Sequence, residues 1–146
     1  MKTFYLGAHH PNWLEQTDVP LFVSRRVLAS RKRLPRARGT WALDSGGFTE
    51  LQLHGKWTIE ARQYAQEVRR FRDEIGNLEW AAPQDWMCEP IVISGGRVPG
   101  VEFAGTQRSV KTHQINTVAN LLALRELAPD LPIVPVLQGY TLEDYL

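Results

Sequence analysis

Short apolar runs alternate with longer amphipathic stretches along this chain. Lys2 to Ala8, Leu21 to Val23, Thr40 to Leu43, Trp80 to Gln84 and Ile133 to Leu137 have the length and character of buried strands. Between the third and fourth of these the period changes. From Thr58, a residue suited to capping, to about Ile75, the residues Ala61, Tyr64, Ala65, Val68, Phe71 and Ile75 recur at helical spacing. Arg62, Glu67, Arg69, Arg70 and Asp73 fall mostly on the other face, and Gly76-Asn77 ends the run. A second helix is predicted from about Val110 to Leu127, stopping before Pro129, with Val118, Leu121, Leu122 and Leu124 as its apolar face. Thr141 opens a third, with Glu143 and Asp144 in its first turn. Ser94 to Gly105, rich in glycine and interrupted by Pro99, reads as a long loop that covers or flanks a site.

Strands that alternate with helices predict parallel βα units, hence an α/β fold. Polar residues at the carboxyl ends of several strands are where a (β/α)8 barrel keeps its chemistry, but such a barrel takes about 250 residues. The 146 residues here supply about five of the eight strands. The expectation is therefore a single domain, residues 1–146, formed of the N-terminal five βα units of a TIM-barrel-type fold. An open edge after the fifth strand invites docking. A longer natural product, a completing partner chain or a homo-oligomer would close it; otherwise the sheet is open and the barrel reading fails.

Composition narrows the function classes. A net charge of +1 gives no general affinity for nucleic acid, but the charge is unevenly placed. Arg25, Arg26, Arg31, Lys32, Arg33, Arg36 and Arg38 bring seven basic residues into fourteen positions with no acid among them. Such a cluster is either a phosphate footprint, with Arg31, Lys32, Arg33, Arg36 and Arg38 on a nucleic-acid backbone, or a solvated loop. Cys88 is the only cysteine, which excludes a disulfide framework and a Cys-based zinc site within these residues. No stretch reaches the length of a membrane span, and the start reads as a strand rather than a signal peptide. The expected location is the cytoplasm, with no membrane partner.

The candidate chemistry lies at three strand ends. Leu43-Asp44-Ser45-Gly46-Gly47-Phe48 puts a carboxylate at the end of an apolar run, before two glycines that let a ligand approach the backbone. Trp80-Ala81-Ala82-Pro83-Gln84-Asp85 delivers a second acid, and Ile133-Val134-Pro135-Val136-Leu137-Gln138-Gly139 an amide and a further glycine. An ionised carboxylate only accepts hydrogen bonds and so suits a ligand edge that only donates, such as the N1 and N2 side of guanine. A glutamine amide can donate to the neighbouring O6. A second carboxylate near a sugar serves general acid/base work or stabilises charge at the anomeric carbon. Purine recognition with glycosidic-bond chemistry fits, as does other sugar or base chemistry. Glu89 is an alternative recognising carboxylate, and Phe48 is either a pocket wall able to stack on a base or plain core. His9 and His10 point apart on an extended chain, so no metal is expected there. His54 and His113 read as solvated, Cys88 as a small buried residue rather than a nucleophile, and Trp57 and Trp86 as core or rim.

These motifs resemble a known superfamily. Asp44-Ser45-Gly46-Gly47-Phe48 is similar to the Asp-Ser-Gly-Gly-Phe motif of the queuine/archaeosine tRNA-guanine transglycosylases, and Val136-Leu137-Gln138-Gly139 to their Val-Gln-Gly segment. Ala82 to Pro90 occupies the place of their Asp-Glu-Cys strand end, although Cys88 falls three residues after Asp85 rather than two. The usual length and spacing of the tRNA enzymes are not kept, and the chain most resembles the compact deazapurine DNA-modification proteins of that superfamily. The resemblance implies a base exchange in DNA or tRNA, in which guanine leaves and a 7-deazaguanine enters. It implies Asp44 at the sugar side as the catalytic acid/base or positioning residue. It also implies Asp85, with Gln138 and Gly139, at the base, and Ser45, Gly46, Gly47 and Phe48 around the substrate. The family's attacking aspartate and its zinc site have no match within these residues, so the nucleophile is expected after Leu146 and no cofactor within this chain. Two other readings stay open: a non-catalytic half barrel or remnant that binds purine or nucleic acid, and a glycosidase-like hydrolase using Asp44 with Asp85 or Glu89.

Overall fold

The computed structural model describes residues 2–146. Four strands, β1 (Leu6–Ala8), β2 (Leu21–Ser24), β3 (Trp41–Asp44) and β4 (Leu78–Ala81), form one sheet in sequential order with every neighbouring pair parallel. Helical segments connect them: α1 (Trp13–Gln16), α2 (Arg25–Ala29), α3 (Gly47–His54) and α4 (Ala61–Ile75). This is the α/β arrangement that the alternation predicts. The sheet does not close among the described residues, so the barrel itself is not shown.

The fifth strand shrinks to one bridge. Ile133 lies parallel to Ala81, held by Ala81 N–H to the Pro132 carbonyl (3.0 Å) and Val134 N–H to the Ala81 carbonyl (3.1 Å). Pro132 and Pro135 bracket this pairing and have no N–H to extend a ladder. The first strand is shorter than Lys2 to Ala8 and is not buried: Leu6 is 62% exposed, because nothing among the described residues pairs with the outer side of β1. The fourth strand starts earlier than expected, directly after the Gly76-Asn77 helix stop, and ends at Ala81, two residues before Pro83.

Three further expectations are corrected. Helix α4 begins at Ala61 with Glu60 in the cap position; Thr58 instead binds the Glu50 carboxylate through its amide and hydroxyl. The supposed loop 94–105 carries α5 (Pro90–Ser94) into a hairpin of β5 (Gly96–Val98) and β6 (Val101–Phe103). Its turn places Pro99, with φ preset, before Gly100 at φ +79°. On α6 (Val110–Leu127), Leu121 and Leu124 are buried as expected, but Val118 and Leu122 are 54% and 59% exposed.

The main core joins the sheet to α4 and α6 through Val23, Trp41, Leu43, Tyr64, Val68, Phe71 and Leu124. Of the apolar positions read on α4, Tyr64, Ala65, Val68, Phe71 and Ile75 are buried, while Ala61 in its first turn is only partly so. A smaller cluster of Leu51, Trp86, Val92 and Phe103 packs α3 against the 86–103 insertion. The carboxyl ends of β3 and β4 emerge between these two cores.

Candidate functional site

The turn after β3 is shaped by its glycines. Gly46 has φ +75°, a conformation that leads directly into α3. Gly47 allows close approach: a Cβ there would lie 2.9 Å from both the Asp85 carbonyl oxygen and the Trp57 ring. The two strand ends are thus brought together by the absence of a side chain. Ser45, fully buried, donates its hydroxyl to Asp85 Oδ1 (2.6 Å) and accepts the Gly47 amide (3.0 Å).

Asp85 is the centre of the arrangement. It is 5% exposed; its Oδ2 accepts from Gln138 Nε2 at 2.7 Å. Burial pushes its carboxyl above the ordinary range. The bonds from Ser45 and Gln138 and its own amide pull it back, while the nearby Asp44 charge adds to the rise. Asp44 is half-buried at the end of β3, and burial raises its carboxyl too, against hydrogen bonds from the Ser24 hydroxyl and the amides of Ser45 and Gly46. Two carboxyls of raised pKa at adjacent strand ends can take up or release protons at a pH where free carboxylates cannot.

Residues that sequence reasoning passed over hold the 82–88 loop in place. Tyr64, wholly buried, donates to the Ala82 carbonyl (2.6 Å), Asn120 to that of Gln84 (2.7 Å) and Trp57 to that of Asp85 (2.9 Å). Thr117 accepts the Trp86 amide at 2.9 Å. His113 is not solvated, as expected above, but fully buried. Its Nδ1–H donates to the Met87 carbonyl (2.6 Å), leaving Nε2 to accept from Thr106 (2.7 Å), and burial lowers its pKa. Gln114 performs the same service for the other segment, donating to the carbonyls of Gln138 (2.9 Å) and Asp144 (2.6 Å). The signal was present: His113, Thr117 and Asn120 form a polar stripe at helical spacing on the side of α6 that also carries Leu121 and Leu124.

The remaining candidates are placed as follows. Gly139 is packed under the Tyr145 ring, 2.8 Å from where a Cβ would stand. Phe48 is 41% exposed and meets Phe103 of the hairpin edge-on. Glu89 is exposed at the start of α5, with no hydrogen bond to Asp85. Cys88 is buried, and its thiol is pushed up to about 11 by burial and by the charges of Asp144 and Glu89, which leaves little thiolate at neutral pH. Trp86 belongs to the core, whereas Trp57 is partly buried and packs at the rim of both clusters.

The 31–38 part of the basic segment does not join this site. Arg31 donates to the Asn12 side chain (2.8 Å), Arg36 to the last carbonyls of α4 (Asp73, 3.2 Å; Glu74, 2.9 Å), and Ala37 bonds Ile75 and Asn77. Arg36 and Arg38 therefore flank the amino ends of β3 and β4. The three residue steps from Trp41 to Asp44 put about 10 Å between that end and Asp44. Lys32 and Arg33 are exposed.

No cluster able to hold a metal ion and no helix long and apolar enough to cross a membrane is present among the described residues. No curated protein and no solved structure matches the chain. A family model does, and it spans every residue from 1 to 146: DpdA, deoxypurine in DNA protein A. With that match the chain belongs to the DpdA family, DNA 7-deazaguanine modification proteins related to the tRNA-guanine transglycosylases.

Proposed function

We propose that this chain forms the base-reading part of a transglycosylase that exchanges guanine for a 7-deazaguanine in DNA. The observation that carries this reading is Asp85, whose two oxygens are aimed by Ser45 and Gln138 beside the second carboxyl of Asp44. An acceptor-only group set in a rigid loop suits the adjacent N1 and N2 donors of guanine and of its 7-deaza analogue alike. Gln138 commits one amide hydrogen to Asp85, which leaves the other for O6. Asp44 faces the sugar in this reading. Its raised pKa lets it give or take a proton as the glycosidic bond breaks and re-forms. The attacking carboxylate comes from outside residues 1–146.

The reading takes DNA rather than tRNA as the substrate, in accord with the family. The test is an exchange assay with the native-length protein, using DNA that carries radiolabelled guanine and unlabelled 7-deazaguanine derivatives. Release of label that depends on the added deazapurine is the expected result, and Asp44→Asn abolishes it while circular dichroism stays unchanged. Release of label without any incoming base indicates a hydrolase, and guanine binding with no release at all indicates a binding module; either overturns base exchange.

A further inference from the structure

A second cleft opens beside the Asp44 turn and plays no part in reading the base. It lies between α2 and α3, encloses about 270 Å³ and is lined by Arg25, Arg26, Ser30, Thr49, Glu50 and His54 among others. Arg26 rests on the turn itself: a Cβ on Gly46 would stand 2.9 Å from Arg26 Cγ. Ser24 ties the two sites together. It pairs in register with Asp44 across β2 and β3, its hydroxyl bonds the Asp44 carboxyl, and the same oxygen accepts the Arg26 amide at 3.4 Å.

The charges of the cleft decide what it can hold. Arg25, 7% exposed, is shared between Glu67 and Glu50, the latter at 3.5 Å. Glu50 also accepts the amide and hydroxyl of Thr58. Arg26 is exposed and bonds only the Thr49 hydroxyl, at 3.1 Å, with no carboxylate partner among the described residues. Arg25 and Arg26 are set against Glu50 in the lining and Glu67 behind Arg25, and these four charges sum to zero, so the cleft does not concentrate free anions. It does present one unpaired guanidinium fork beside hydroxyls, which suits a singly charged phosphodiester brought in on a strand already held nearby.

We propose that this cleft receives the backbone phosphodiester next to the target nucleotide, with Arg26 as its charged contact and the Thr49 hydroxyl as a second donor. The assignment rests on the reading that Asp44 faces the sugar, since a nucleotide's phosphate is only a few bonds from its anomeric carbon. It moves the phosphate footprint from the 31–38 segment, at the amino ends of the strands, to the carboxyl ends where Asp44 stands.

The experiment is the salt dependence of binding of a single-stranded oligodeoxynucleotide to the native-length protein, read by fluorescence anisotropy. Arg26→Gln is expected to weaken binding equally for all sequences and to flatten the slope of log K against log salt by about 0.7, one phosphate's worth for a single strand. Thr49→Val is expected to weaken binding without changing the slope. The double variant Lys32→Gln with Arg33→Gln is expected to leave the slope as it is. An unchanged slope in Arg26→Gln, with binding otherwise intact, overturns this inference and leaves the base-exchange reading standing. Loss of slope in the Lys32/Arg33 variant instead returns the footprint to the basic segment and likewise overturns it. Inorganic phosphate is expected not to displace the oligonucleotide beyond its ionic-strength effect; specific displacement points to a free-anion site and overturns the phosphodiester assignment. Absence of any DNA binding by the unsubstituted protein counts against the proposed function itself.

Discussion

At Asp85 the requirements of folding and of base reading pull in opposite directions. Its carboxyl sits above the ordinary pKa, chiefly through burial, so the folded state prefers the protonated form. Below the ordinary aspartate value of about 3.9 the group is neutral in both folded and unfolded chains and has no effect on stability. As pH rises through that value and on to the raised one, the folded state is penalised for holding a charge, and the penalty is constant above. Asp85→Asn removes it. Gln138 can turn its amide over to accept from the new side chain, while the Asn oxygen still accepts from Ser45. The expected outcome is a variant at least as stable as the parent in urea at pH 7.5, with the difference vanishing near pH 3. The same variant loses guanine binding in calorimetry, because half of an acceptor-only edge has become a donor. The parent's affinity should rise with pH as Asp85 ionises. Asp44, Asp85 and Gln138 were legible in the sequence because each is a polar group at or just beyond the end of an apolar run. For His113 the sequence shows only a polar position on the buried side of α6; its partners Met87 and Thr106 meet it from two other segments.

The 82–88 loop is where elements become a site. It has no regular secondary structure, yet its carbonyls at Ala82, Gln84, Asp85 and Met87 are each met by a side chain from α4, α6 or the segment before α4. A buried carbonyl left without its donor destabilises by about 1–3 kcal/mol. Asn120→Ala and His113→Leu are each expected to lower unfolding stability by that amount, measured by urea titration. Both should also weaken guanine binding without either residue touching the base. Intact binding in a destabilised His113→Leu protein would show that the loop keeps its shape unaided. The long helices were legible from the period of their apolar residues, as Tyr64, Val68, Phe71 and Ile75 show on α4. The hairpin and the lost fifth strand were not. A Pro99-Gly100 pair reads equally well as loop or as turn, and a run such as Ile133 to Leu137 counts its apolar residues without showing that Pro132 and Pro135 interrupt the donors.

On the scale of the whole molecule, the decisive feature is a parallel sheet in sequential order whose β1 side is unpaired and whose β4 side carries only the Ala81–Ile133 bridge among the described residues. That order is shared by open sheets and by barrels, and the local pattern of apolar runs is the same in both, which is why the sequence could suggest closure without establishing it. Backbone amides discriminate between the two. In β1 the Leu6 N–H turns inward to the Pro20 carbonyl at 2.8 Å, so the alternation of the strand turns the Gly7 N–H outward. In β3, flanked by β2 and β4 and carrying the buried Trp41, Ala42 and Leu43, amides are covered on both sides. Hydrogen exchange on residues 1–146 alone should therefore find β3 the most protected strand, with Gly7 exchanging at close to the rate of free chain. The comparison is with the native-length protein. If a following strand closes the barrel against β1, Gly7 becomes protected while the order among β2, β3 and β4 is preserved. If Gly7 still exchanges freely, the sheet is open, and an attacking carboxylate would have to reach Asp44 and Asp85 from a separate layer rather than from the next strands of the same barrel.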